Sequence, residues 1–167
     1  MFLLGICEWV DGTRLSLLLR QSNWAFPALD TIHTLGIVLV AGAIMLVDLR
    51  LLGWGLRGVP LTDLVGRIVP ATLAGFGLML ATGALLFASE AVKMYHSPAF
   101  RIKMILLAAV GLNALIFHRT VYRDVAKWDP AKAPARARLA GLLSLALWIA
   151  IIAAGRAIAY GPGYDLG

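Results

Sequence analysis

Hydrophobic residues run along this chain in long blocks rather than short alternations, and the polar residues gather between the blocks. A helix that crosses a hydrocarbon core about 30 Å thick needs about 20 mostly apolar residues, because each adds about 1.5 Å. Four blocks meet that requirement: residues 24–47, 68–88, 100–117 and 139–159. The second contains no charge at all. The third starts with Arg101 and Lys103, and the fourth carries Arg156 near its end, positions from which a long side chain reaches the headgroups. The pattern predicts an all-α fold: a transmembrane four-helix bundle with an N-terminal interfacial amphipathic helix.

The bundle forms one membrane domain over residues 24–160, with a short tail at 161–167. In residues 1–23, Trp9, Val10, Leu15, Leu18 and Leu19 alternate with Asp11, Arg14, Arg20 and Gln21 at roughly helical spacing, which suits a helix lying in the interface. Its first apolar run has no basic residues ahead of it and meets Glu8 at once, so the segment is expected to stay attached rather than be cleaved as a signal peptide. Pro60 and Thr62, then Pro130 and Pro134, mark turns.

Charge sets the orientation. The first loop and its flanks hold Arg50, Arg57 and Arg67, and the third holds Arg119, Arg123, Lys127, Lys132, Arg136 and Arg138, nine of the 15 basic residues. That side is expected to be cytoplasmic and both termini periplasmic. Asp48 and Arg50 are expected to anchor the inner end of the first span, with Arg50 among headgroups. Trp54, Trp128, Trp148, Tyr122 and Tyr160 stand mostly where an aromatic belt would put them.

Composition sharpens the choice of solvent. Of 167 residues, 60% are hydrophobic and 14% charged, against roughly 45–50% and 25% in soluble domains. The expected surroundings are a lipid bilayer. The net charge of +6 does not indicate a nucleic-acid partner, because the basic residues cluster beside the spans, where anionic lipid sets the pattern. With one cysteine, Cys7, no intrachain disulfide or Cys-rich metal site can form. Phosphate-binding, nucleophile-elbow and zincin motifs are missing, which argues against an ATP-driven or hydrolytic enzyme.

Small residues, among them Gly36, Gly75, Gly77, Gly83, Gly111, Gly141 and Gly155, allow helix backbones to approach closely. Such faces serve packing within the chain or across a homo-oligomer, or make room for a flat cofactor.

Ionisable residues inside a span are costly, so each is a functional candidate. Asp30 and His33 stand three apart, on one helix face. Glu90, Lys103 and Arg156 belong to the same outer half. A neutral imidazole can ligate haem iron with a carboxylate ordering its second nitrogen, or Asp30, His33 and Glu90 can pass protons to a quinone headgroup near Lys103 or Arg156. The bland alternative is mutual neutralisation of helix-orienting charges. His118 lies some 14 Å deeper than His33, counting about 1.5 Å per residue, so one iron cannot bind both, although two haems at different depths can. His96, in Tyr95-His96-Ser97-Pro98, is at the outer level. Met79 and Met104 offer sulfur at that level, where methionine is more often core filling. Asn113 suits a hydrogen bond across helices.

The motifs Asp30-Thr31-Ile32-His33-Thr34-Leu35-Gly36, Asp48-Leu49-Arg50-Leu51-Leu52-Gly53, Pro98-Ala99-Phe100-Arg101-Ile102-Lys103, Asn113-Ala114-Leu115-Ile116-Phe117-His118 and Gly155-Arg156-Ala157-Ile158-Ala159-Tyr160 carry a resemblance. Over nearly all of residues 24–160 the chain resembles a bacterial family of small four-span membrane proteins that bears a domain-of-unknown-function label. The resemblance implies a four-helix membrane fold and brings no activity with it. His33 and His118 fit the family pattern and His96 does not. The family's usual residue at position 30 is Glu, so Asp30 keeps the carboxylate with a shorter reach.

The expectation is an inner-membrane protein with a redox or cofactor role: a b-type haem or quinone site around His33, with Asp30, Lys103 and Arg156 nearby and His118 as a candidate second haem ligand. The competing readings are a non-catalytic accessory or scaffold subunit of a larger membrane complex, or a homo-oligomer of that kind, and a small proton or ion pathway.

Overall fold

A computed structural model describes residues 2–129 and 133–159. Pro130, Lys132, Tyr160 and the tail 161–167 lie outside the described residues. The elements are α1 (Phe2–Asp11), α2 (Arg14–Gln21), α3 (Ala25–Leu52), α4 (Leu61–Ser89), α5 (Ala91–His96), α6 (Pro98–Ile116), α7 (Val125–Trp128) and α8 (Ala135–Ala159). A π-helical turn, Phe117–Val121, and a 3-10 turn, Tyr122–Asp124, join α6 to α7. Four helical stretches, Ala25–Leu52, Leu61–Ser89, Pro98–Trp128 and Ala135–Ile158, are long and apolar enough to cross a membrane. This is a multi-pass membrane protein.

The helices run past the apolar blocks that announce them. The first continues from residue 47 to Leu52 and the second starts at Leu61 rather than at 68. Local signals set these ends. Gly53 takes the left-handed conformation (φ 73°) that closes α3, its N–H donating to the Arg50 carbonyl at 3.2 Å while the Trp54 N–H reaches the Leu49 carbonyl at 3.0 Å. Ser97 caps α6 by accepting from the Phe100 N–H at 3.3 Å, with Pro98 in the first turn. The amphipathic N-terminal segment forms two helices, broken at Gly12, with Thr13 capping the second by accepting from the Ser16 N–H. They pack on α4 and α5, where Ser16 is fully buried and its hydroxyl donates to the Ser89 carbonyl at 3.4 Å.

Packing is sequential rather than closed. α3 lies between α4 and α8, and α8 lies between α3 and α6. Among the described residues α4 and α6 share no extended interface. They meet where Phe87 stacks on Phe100, with ring centroids 5.5 Å apart. Two apolar cores stabilise this row. One holds Val40, Ala41, Met79, Trp148 and Ile151, and the other Leu51, Leu61, Val65, Phe117, Val125 and Ala137. The α3–α4 contact depends on missing side chains: a Cβ at Gly75 would fall 2.7 Å from Val40 Cγ2, and one at Gly36 2.9 Å from Met79 Cγ. Gly77 and Gly111 face open space and contribute no such contact within the chain. Large apolar side chains such as Leu35, Leu73, Leu80 and Ile105 point outward, as a lipid solvent permits.

Two expectations are corrected here. Arg50 is not among headgroups: it is buried at 7% exposure and paired to Asp129 at 3.1 Å. The Asp129 carboxylate also accepts from the Leu61 and Thr62 N–H groups, at 2.8 and 3.2 Å, and thereby caps α4, whose own N-cap, Pro60, has no side-chain acceptor. Trp148 is not in a belt: it is buried in the first core, because its position on α8 faces α3.

Candidate functional site

The helices alternate in direction, so the start of α3 lies beside the end of α4, the start of α6 and the end of α8. His33 comes eight residues after the start of α3, and Thr82 seven before the end of α4. Equal depth brings them together. His33 Nδ1 lies 2.9 Å from Thr82 Oγ1. The Thr82 hydroxyl has one proton, and it is directed to the Leu78 carbonyl at 2.8 Å. Nδ1 therefore donates and Oγ1 accepts, with the Met79 carbonyl a second acceptor beside the ring. This pattern assigns the proton to Nδ1 and leaves Nε2 as the basic nitrogen of a half-buried ring.

Glycine completes the seat. A Cβ at Gly83 would stand 3.1 Å from His33 Cε1, so the imidazole lies against bare backbone on α4. From α6, Lys103 is within electrostatic reach of both His33 and Asp30. From α8, Gly155 lies beside Lys103: a Cβ there would be in ordinary van der Waals contact with Nζ, at 3.7 Å. Asp30, one turn above His33 on the same face, is exposed, as is Arg156 at the end of α8.

The other candidates lie elsewhere. Glu90 pairs with Lys93 at 3.2 Å, beside Asp11, Arg20 and His96 and under the N-terminal helices. His96 is exposed and packs edge-on against Tyr95. Met79 fills the core against Gly36, and Met104 is exposed. Asn113 Nδ2 donates across the bundle to the Ala140 carbonyl at 3.0 Å.

His118 sits in the π-helical turn at the opposite end, between the rings of Phe117 and Tyr122. It lines a cavity shared with Asp48, and Asp48 is about 22 Å from His33 along α3 at about 1.5 Å per residue. His33 and His118 are thus at different levels, with no route to a common iron. Among the described residues, no three His, Cys, Asp or Glu side chains come close enough to hold a bare metal ion. A haem differs in bringing four nitrogen ligands of its own, so that one well-oriented imidazole suffices.

Two residues, Thr82 at this site and Asp129 at the opposite end of the bundle, do not stand out from spacing alone. Thr82 is an ordinary hydroxyl within an uncharged span, and the signal that finds it is its depth matched to His33. Asp129 follows the apolar run and pairs with Arg50, 79 positions earlier, so no local pattern reports it.

A model for a family of unknown function, DUF6644, matches residues 7–161. Neither the curated proteins nor the solved structures contain a significant match.

Proposed function

The chain belongs to the DUF6644 family, and we propose that it is a membrane redox protein holding a b-type haem on His33 Nε2, in the half of the bundle where α3 begins. The observation that carries this reading is the Thr82 clamp. A hydroxyl fixed by its own helix takes the Nδ1 proton and orients the ring, as outer partners of metal-binding histidines do. Lys103 supplies a cation for an acidic cofactor substituent, with Asp30 beside it and Arg156 at the adjoining end of α8. His118, at its separate level, is available only to a second haem.

A quinone headgroup is the second reading, favoured by the juxtaposition of the Lys103 ammonium, a donor to a reduced oxygen, with the His33 imidazole, whose Nε2 can take a quinol proton. The scaffold and ion-pathway readings need none of this local order. We place the protein in the bacterial inner membrane with both termini periplasmic, since basic residues dominate the loops at the Asp129 end. The thinly covered outer faces of α4 and α6 suit a second copy or a partner subunit.

An absorption spectrum of the purified protein, oxidised and then reduced with dithionite, tests the assignment. A Soret band present in the parent and missing from His33→Ala is expected. A colourless protein whose solvent extract yields stoichiometric quinone would transfer the site to the second reading. A colourless protein with an empty extract would sink both.

A further inference from the structure

The cavity at the Asp48 end lies apart from the His33 site, and His118 stands on its wall. It is a half-open recess of about 300 Å³ among α3, α4, α6 and α8, at the lower limit of small-ligand pockets. Its walls are apolar, formed by residues such as Ile44, Leu51, Val65 and Phe117. Asp48 is set among them with only 3% of its surface exposed, and its Oδ2 has no hydrogen-bond partner. Thr72 Oγ1, on the facing helix α4, is likewise buried and unpartnered.

The remaining polar side chains of the lining are Ser144, Asn113 and His118. The Ser144 hydroxyl donates to Asp48, and Asn113, whose Nδ2 is engaged by the Ala140 carbonyl, keeps its Oδ1 available. Among the described residues no lysine or arginine lines the cavity. The closest basic residue in sequence, Arg50, donates to Asp129 and to the Val59 carbonyl instead. The result is an acceptor-rich, acidic recess inside an apolar wall. Leaving such acceptors unsatisfied is costly, and a carboxylate most of all. Because α4 and α6 do not close on each other below the Phe87–Phe100 stack, the recess is reached from the lipid side, past Ala114.

We propose that this cavity binds a lipid-soluble primary amine, its ammonium group donating to Asp48 Oδ2 and Thr72 Oγ1 and its hydrocarbon chain leaving between α4 and α6. A primary ammonium has three donors and no acceptor, the complement of what the recess presents. A carboxylate or sulfate head would meet the like charge of Asp48. A quaternary ammonium has the charge and no N–H to donate. The amine is either the aminoethyl head of a bilayer phospholipid or a free long-chain amine.

Native mass spectrometry of the full-length chain in maltoside micelles tests this with four probes of equal chain length: dodecylamine, dodecanol, dodecanoate and dodecyltrimethylammonium. Dodecylamine is expected to bind with one equivalent per chain, at least about tenfold more tightly than the others, in keeping with a charge-assisted hydrogen bond. Asp48→Asn, close in shape, should lower that affinity about tenfold or more, and Ala114→Trp, on the exposed face of α6, should block entry without touching the core. Retained helicity in circular dichroism confirms that both variants fold. Equal binding of dodecanol or dodecanoate, or affinity unchanged in Asp48→Asn, would overturn the proposal. Release from nanodiscs separates the sources: phosphatidylethanolamine retained over phosphatidylcholine identifies a bilayer lipid, and dodecylamine binding with no retained phospholipid identifies a free amine.

Discussion

His33 and Thr82 show how one hydroxyl decides what an imidazole can do. With the Thr82 proton committed to Leu78, the ring must donate through Nδ1, and Nε2 is the nitrogen left to act as a base or a ligand. Thr82→Val keeps the volume and removes the acceptor. It is expected to weaken cofactor binding by about 10–100-fold, the usual consequence of losing a histidine's outer partner, as measured by haem titration of the purified variant. Thr82→Ser should restore most of the affinity. At this scale much was legible in sequence: the three-residue spacing of Asp30 and His33 gives their common face, and depth counting places Lys103 near them. Arg50 was not legible. A basic residue at the end of an apolar run reads as a headgroup anchor, and only the return of the chain 79 positions later supplies the buried carboxylate that holds it.

Helix contacts follow the same rule, in which periodicity announces an element and its partner decides the detail. Gly75 and Gly77 have the same composition and opposite surroundings: Val40 and Leu39 press on one, while the other faces open space. Gly75→Leu should destabilise the bundle by about 1–3 kcal/mol through overpacking, whereas Gly77→Leu should change it by no more than about 0.5 kcal/mol, both followed by unfolding in mixed micelles. The start of α4 offers a second check. Its first N–H groups are capped by Asp129 from another part of the chain, which also neutralises Arg50. Asp129→Ala is expected to remove about 3–5 kcal/mol, since a buried guanidinium would lose its partner, and to raise hydrogen exchange at Leu61 and Thr62 specifically. Loss of stability with unchanged exchange there would show that the cap is unimportant.

Over the whole molecule the four long helices stand in the order α4, α3, α8, α6 and leave the first and last apart below an aromatic roof. The apolar blocks reveal the number of spans. The open side depends on which small residues meet, information spread over the entire chain, and so escapes a linear reading. Orientation is a property of this scale too. Single cysteines at Gly58 and at Ser97, in a Cys7→Ser background, should react with a membrane-impermeant maleimide from opposite sides of sealed vesicles, the former from the cytoplasmic side. Labelling of both from one side would break the four-span topology. The most direct measurement concerns His33 itself: haem titration of the His33→Gly variant with and without free imidazole, beside the parent. One haem per chain in the parent, loss in His33→Gly and recovery of the Soret band on adding imidazole are predicted. Equal haem uptake by parent and variant, indifferent to imidazole, would contradict ligation by His33 Nε2.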